Sequence, residues 1–204
     1  MRPFRIDDGP AYVARIEAPE RAVLLDVVDG VVDLLLGGAG APPGGASDDP
    51  FATLRLGTGP VRTPTDPALL RLLPDAAADP ELAAELRRLT EADLRGTKVG
   101  HLRRLRAVLD AARPDAVVVP SDAAAVAAAL TDLRLVLASR LGVLTDDDAE
   151  SVYDLAQRDG PVATQDEATA RFLATVYAVL TELQESLVQL MVDALPPVRD
   201  GGAV

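Results

Sequence analysis

The chain of 204 residues contains no cysteine and no tryptophan, and aromatic residues make up only 3% of it. The absence of cysteine excludes disulfides, thiolate metal sites and any thiol-based redox chemistry. A single histidine, His101, cannot supply a set of metal ligands and provides at most one His-based catalytic group. The sequence therefore predicts a protein that is not an enzyme and holds no cofactor and no metal.

Long apolar runs are also absent. No stretch approaches the roughly 18 uncharged apolar residues that indicate a membrane-spanning helix, and residues 1–10 carry charges where a signal peptide is apolar. The formal net charge of -12 repels nucleic acid and anionic membranes at long range. We therefore expect a cytoplasmic protein with no membrane contact. Direct DNA binding stays open, but it would have to use a local part of the surface.

Strand signals are confined to a few short segments. Residues 4–6 and 11–16 contain aromatic and β-branched residues on either side of Asp-Asp-Gly-Pro, a pattern that predicts a β-hairpin. Residues 116–119 form a short β-branched run that predicts a third strand, which would extend this sheet or cap the helices. The remaining periodicity is helical. The predicted fold class is mainly α, a helical bundle with a long C-terminal helix and a small N-terminal β-hairpin.

Capping signals divide the helical part into six segments. The predicted helices cover 19–36, 67–73, 80–113, 121–142, a segment after Thr145, and 164–195. Ser121 is the predicted cap of the fourth helix, and the acidic residues 146–148 are interpreted as favourable charges at a helix start rather than as a metal site.

The third predicted helix changes its apolar side along its length. At about 100° per residue, its leucines fall on nearly opposite sides before and after two glycines, Gly96 and Gly100. The two sets are Leu82, Leu86 and Leu89, followed by Leu102, Leu105 and Leu109. One straight helix cannot bury both sets, so we predict a bend or break between the glycines.

The length fits one core, and residues 1–204 are predicted to form a single domain. Residues 37–65 are dense in glycine and proline and predict a flexible loop, and residues 196–204 predict a disordered tail. The last helix has a wide apolar stripe, which favours a core bundle helix over an isolated coiled coil. A homodimer interface formed by part of this helix stays open.

Seven of the twenty basic residues lie within twenty positions that contain only two acids, a local charge of +5. This basic cluster consists of Arg87, Arg88, Arg95, Lys98, Arg103, Arg104 and Arg106. Glu85 and Glu91 are spaced to pair with Arg88 and Arg95 within one helix, so the favoured interpretation is a solvated or internally paired face. The alternatives are a surface for an acidic protein partner and a local nucleic-acid surface.

Residues 130–142 form a segment that is apolar on nearly every side, which is typical of a buried helix. It nevertheless carries Asp132, Arg134 and Arg140. Buried charges require hydrogen-bonded partners, so we predict a structural polar network in which Asp132 pairs with one of the two arginines. The alternative is a polar network that fixes a partner surface.

Three blocks of the chain resemble, in the same order, an actinobacterial family known as a domain of unknown function. They are DPALLRLLPDAAADPELAAELRRLTEADLRGTK (66–98), LTDLRLVLASRLGV (130–143) and LTELQESLVQLM (180–191). The genes of this family tend to lie beside that of the ClpS adaptor, and one member is the oxidative stress transcriptional regulator AosR.

The resemblance implies a cytoplasmic regulatory protein that acts with a sigma factor or RNA polymerase in the oxidative stress response. Redox sensing of the kind attributed to this family requires cysteine, so this chain would have no thiol sensor of its own. A second hypothesis stays open, a protein-interaction adaptor linked to the proteolysis machinery that makes no DNA contact.

Overall fold

A three-stranded antiparallel sheet combines the N-terminal hairpin with a strand from the middle of the chain in the computed structural model, which describes residues 1–7, 9–37 and 63–196. Its strands are β1 (Arg2–Ile6), β2 (Tyr12–Arg15) and β3 (Asp115–Val118), with β2 in the centre. Tyr12 and Ala14 lie opposite Val118 and Ala116, and all four are buried. The predicted hairpin and the predicted third strand are both confirmed.

Six helices complete the described part of the chain, and the mainly helical fold class is confirmed. They are α1 (Ala18–Gly37), α2 (Pro67–Leu72), α3 (Pro80–Ala111), α4 (Pro120–Leu141), α5 (Asp146–Gln157) and α6 (Gln165–Asp193). Most of the predicted flexible loop and disordered tail, residues 38–62 and 197–204, lies outside the described residues.

Capping residues and prolines determine where the helices begin. Asp66 and Asp79 each accept a backbone N–H from the first turn of α2 and α3, as their positions before a proline predict. The prediction that Ser121 caps α4 is wrong, because α4 begins at Pro120 and Val119 occupies the cap position. Proline suits the first helical position because its fixed φ is helical and it has no N–H that needs a partner.

The segment that is apolar on nearly every side lies in α4, the central helix of the bundle. α4 packs against α2, α3 and α6, so different faces of it are covered by different helices. Gly142 ends α4 in the left-handed conformation, at a φ of 74°, as expected for a helix C-cap. Burial on several sides explains why this helix has no wide polar face.

α6 also contributes apolar side chains to the same core. Val176, Leu180, Leu183 and Leu187 from its predicted apolar stripe are buried, and the helix packs against α4, α5 and β1. The interpretation of this segment as a core bundle helix is confirmed. Since one face of α6 is covered within the chain, only its outer surface is left for a homodimer interface, which stays a prediction.

α3 is a continuous helix of 32 residues, so it does not break between Gly96 and Gly100, whereas the predicted alternative, a bend, stays a prediction. The later leucines face the core as expected, but the earlier ones do not, because Leu82 is 52% exposed and Leu89 is 57% exposed. A straight helix is therefore sufficient, with only one of its two leucine sets buried.

The N-terminal half of α3 buries charged residues in place of leucines. Its buried positions are Ala83, Arg87, Glu91 and Arg95, spaced four residues apart. This spacing places them on one face, and at 100° per residue that face continues into the buried leucines of the C-terminal half. The apolar pattern was misleading here because three ionised side chains occupy buried positions.

Candidate functional site

The three buried charges of α3 form a continuous ladder of ion pairs. Glu91 accepts hydrogen bonds from Arg87 at 2.5 Å and from Arg95 at 2.7 Å. Arg87 also donates to the Asp75 carboxylate at 2.8 Å, and Arg95 donates to the carbonyl oxygen of Leu35. We call these three residues the Arg87–Glu91–Arg95 ladder. It joins α3 to the end of α1 and to the segment that follows α2.

The ladder keeps the guanidinium of Arg87 charged although this residue is buried. Burial lowers the pKa of the Arg87 guanidinium, but the hydrogen bonds to Asp75 and Glu91 raise it by more, so its pKa stays above the ordinary value. Arg87 is only 7% exposed and Arg95 only 8%. These two members of the basic cluster are therefore inaccessible to a phosphate or to an acidic partner.

The other members of the basic cluster are also largely paired within the chain. Arg88 pairs with Glu85, Lys98 with Asp132, Arg104 with Asp122, and Arg106 with Asp29 and Asp110. Arg103 is exposed, and no salt bridge involves it within residues 1–7, 9–37 and 63–196. Six of the seven residues thus have an acidic partner, and the fold does not gather the cluster into one free basic surface.

The three charged residues of segment 130–142 do not form one network. Asp132 is 3% exposed and accepts a hydrogen bond at 2.6 Å from Lys98 of α3, so the predicted pairing with an arginine of α4 is wrong. Arg134 lies two residues away, on another side of the helix, and Arg140 lies eight residues away, about 12 Å along the axis. Arg140 instead donates to Asp66 at 2.7 Å.

Arg134 connects α4 to α6 through neutral partners. Its guanidinium donates to Gln184 at 2.6 Å and lies 5.3 Å from the ring centroid of Tyr177, within the range of a cation–π interaction. Gln184 in turn donates to the hydroxyl of Thr131 at 2.6 Å. This chain of contacts is a structural connection between two helices of the core, as is the Lys98–Asp132 pair between α3 and α4.

Acid is expected to weaken the contact of α2 with α4. The hydrogen bond from Arg140 holds the pKa of Asp66 below its ordinary value of 3.8, against the effect of burial and with help from the N–H of Ala68. Because the pKa is lower in the folded state, the stabilisation is complete above the unfolded pKa and is lost as the pH falls through the folded pKa.

Asp66→Asn keeps the helix cap but removes this titration. We expect the variant to lose less unfolding free energy than the wild type when the pH is lowered below about 4. Urea denaturation followed by circular dichroism across a pH series measures the difference. Parallel pH dependences of the two proteins would contradict this assignment.

A groove lies where the end of α4 meets α5 and the start of α6. Its volume is about 440 Å³, and its apolar lining includes Leu141 from α4, Leu155 from α5 and Leu173 from α6. α5 packs mainly against α6, and this arrangement leaves space between α5 and the last turn of α4. We call this feature the α4–α5–α6 groove.

The α4–α5–α6 groove is set in strongly acidic surroundings. Residues 145–170 contain eight acids and a single arginine, a net charge of -7. Asp148, Asp166 and Arg140 are the charged residues of the lining, and Arg140 is paired with Asp66. The N–H of Leu144 and the hydroxyl and N–H of Thr145 hold the pKa of Asp148 below its ordinary value, so this carboxylate is ionised at neutral pH.

The acidic residues at the start of α5 act as the sequence predicts. Thr145 and Asp148 form a reciprocal capping box, in which each side chain accepts the backbone N–H of the other residue. Sequence reasoning missed the groove itself, because its lining comes from three helices. The density of acids over residues 145–170 was the signal that could have indicated it.

The part of the chain that the structure describes contains neither a metal-binding cluster nor a membrane-spanning helix. Within residues 1–7, 9–37 and 63–196, no group of three or more His, Asp or Glu side chains is arranged to hold a metal ion. None of the helices in the same ranges combines the length and the apolar character needed to cross a bilayer.

Comparison with known proteins identifies a matching family model. The family model described as Domain of unknown function (DUF2017) matches residues 1–191, which include both N-terminal strands and nearly all of α6. No curated protein and no solved structure matches the chain. Because the match covers most of the 204 residues, the chain belongs to the family of the Domain of unknown function (DUF2017).

Proposed function

We propose that this member of the family is a non-enzymatic cytoplasmic regulatory protein that acts on transcription by binding a sigma factor or RNA polymerase, without touching DNA itself. The resemblance of its three sequence blocks to the family of the oxidative stress transcriptional regulator AosR supports the choice of partner. The observation that carries the proposal is the internal pairing of six of the seven residues in the basic cluster.

Internal pairing argues for a protein contact because DNA binding depends on cations that are free to replace counterions on phosphates. Arg87 and Arg95 would have to leave buried partners, and breaking a buried ion pair costs about 3–5 kcal/mol. The more exposed cations, such as Arg104 and Arg106, lie beside carboxylates, on a chain whose net charge is -12. A protein partner does not require these pairs to break.

The proposed regulator does not sense peroxide through a thiol of its own. Without cysteine it cannot form a sulfenic acid or a disulfide, so peroxide does not act on a thiol of this chain. The oxidative signal reaches it through its partner, or the protein is active at all times.

Crosslinked affinity purification of the tagged full chain from native cells under peroxide stress tests the choice of partner. We expect to recover a sigma factor or subunits of RNA polymerase, identified by mass spectrometry, and not to recover them with an unrelated tagged protein. Recovery of protease components alone would overturn the proposal in favour of a proteolysis adaptor.

An electrophoretic mobility shift assay at several salt concentrations tests the absence of DNA contact. We expect no salt-sensitive complex with the wild type, and no change when Arg103, Arg104 and Arg106 are replaced by alanine. A complex that weakens steeply with salt and is lost in the triple variant would assign a DNA-binding surface to these residues.

A further inference from the structure

We propose that the α4–α5–α6 groove is the docking site for a basic amphipathic helix of a partner protein. This inference rests on the proposed function, because it names the surface through which the regulator holds its partner. It does not depend on the partner being a sigma factor or RNA polymerase.

The shape and lining of the groove suit a helix with an apolar face. A volume of about 440 Å³ lies within the range of ligand-binding clefts, roughly 300–1,000 Å³. Leu141, Leu155 and Leu173 are each only partly buried in the chain and present apolar surface from three different helices. Helices that dock in grooves insert side chains at spacings of three and four residues into such a lining.

Exposed apolar surface continues beside the groove. Leu144 is 82% exposed and lies two residues after Gly142, which lines the groove at the end of α4. Its backbone N–H is bound to Asp148, so the residue is held at the start of α5 by a hydrogen bond of 2.9 Å. A leucine held in this exposed position extends the apolar contact available to a partner.

The charge around the groove selects a basic occupant. The net charge of -7 over residues 145–170 repels nucleic acid, anionic lipid and acidic protein segments. Lysine and arginine on the rim of a docked helix would face Asp148, Asp166 and the exposed acids of α5. Complementary charge of this kind raises the association rate and disfavours partners of the wrong sign.

Charge complementarity also argues against a second copy of this chain as the occupant of the groove. The basic residues of α3 are the largest cluster of positive charge in the sequence, and six of its seven members are paired with carboxylates within the fold. Two copies would each bring a net charge of -12. The groove therefore fits a different, basic protein segment.

Two threonines of α6 provide a matched pair of variants. Thr169 and Thr175 are both exposed, and each hydroxyl donates at 2.9 Å to the carbonyl oxygen four residues earlier. Thr169 lines the groove and Thr175 does not. Thr169→Arg and Thr175→Arg therefore add the same charge and the same bulk to the same helix, but only the first obstructs the groove.

The probe is a fluorescein-labelled peptide of leucine and lysine with leucines at helical spacing, and its scrambled version controls for charge. Fluorescence anisotropy with the full chain measures Kd. We expect the helical peptide to bind more tightly than the scrambled one. We expect Thr169→Arg to weaken it about tenfold or more, a change of about 1.4 kcal/mol, and Thr175→Arg to weaken it less than about twofold.

Ser151→Arg, on the opposite wall of the groove, is a second blocking variant, and circular dichroism establishes that all three variants fold. No binding, equal binding of both peptides, or equal effects of Thr169→Arg and Thr175→Arg would overturn the proposal.

The affinity purification separates this proposal from the proposed function. Equal recovery of a sigma factor by the wild type and by Thr169→Arg would overturn the groove as the docking site, while the proposed function would still hold. A groove-dependent peptide complex without sigma factor or polymerase in the purification would support the groove and overturn the partner.

Discussion

Glu91→Ala is expected to lower the free energy of unfolding by about 3–5 kcal/mol, the cost typical of breaking a buried ion pair. The substitution removes the carboxylate that Arg87 and Arg95 share, and these two residues are only 7% and 8% exposed. Arg87 would keep Asp75, whereas Arg95 would keep only the carbonyl of Leu35 among the contacts of its guanidinium in the described part of the chain. A buried cation without a carboxylate is the reason for the large cost.

Replacing the whole Arg87–Glu91–Arg95 ladder tests why Glu91→Ala is costly. The cost comes either from the loss of the ion pairs or from the buried arginine that is left without a carboxylate. We expect the triple variant with methionine at all three positions to recover most of the loss, since apolar side chains of similar volume often match or exceed a buried ion pair. Guanidinium chloride denaturation followed by circular dichroism measures both variants.

Glu85→Ala is the matched control for Glu91→Ala. Glu85 pairs with Arg88 on the same helix, but both side chains are substantially exposed. We expect its denaturation midpoint to stay close to that of the wild type, because solvent replaces the lost partner. Similar midpoints for the two glutamate variants would contradict the importance of burial.

Lys98→Met is expected to cost about 3–5 kcal/mol, because it leaves the carboxylate of Asp132 buried without a cation. Asp132 is 3% exposed, and Lys98 is the one side chain that hydrogen-bonds to it within residues 1–7, 9–37 and 63–196. The methionine retains the apolar stem that packs between α3 and α4, so the change reports mainly on the missing charge.

The reverse truncation should be milder. Asp132→Ala leaves a lysine whose side chain is 17% exposed and whose flexible stem lets the ammonium turn toward water. We expect a loss of about 1–3 kcal/mol, the cost of a polar group that loses its partner. Chemical denaturation of both single variants and of the double variant completes the cycle. Equal costs for the two single variants would contradict the asymmetry.

The order and the ends of the elements were largely predictable because they depend on local chemistry. Asp66 before Pro67 starts α2, Asp79 before Pro80 starts α3, and Gly142 ends α4. Each of these signals acts over a few residues, so it is complete in the sequence. Ser121 shows the limit of such reasoning, because the neighbouring proline competed for the same helix start and prevailed.

The face that α3 buries was not predictable from hydrophobicity. Leu82 and Leu89 are exposed, while Arg87, Glu91 and Arg95 are buried on the opposite side. A glutamate with an arginine on either side at spacings of four is compatible with an exposed helix face as well as with a buried ladder. The packing of α1 and of the segment after α2 against this face decides between the two, and no pattern within α3 contains that information.

The candidate functional site could also be predicted from the sequence only in part. The basic cluster was visible as a local excess of positive charge, and the spacing of its acids favoured internal pairing. Lys98, Arg104 and Arg106 each have a partner that was not visible, because these carboxylates lie 18 to 77 residues away in the sequence. The α4–α5–α6 groove was not visible for a similar reason, because its lining comes from three separate helices.

By itself, the sequence determined the absence of thiol chemistry, the acidic character of the chain, the mainly helical fold class and the order of its elements. These properties follow from composition and from interactions between residues close together in the chain. Only the tertiary structure decided which carboxylate neutralises each cation, which face of α3 is buried and where a groove opens. Those outcomes depend on distances of a few ångströms between separate helices, and such distances exist only after the helices have packed.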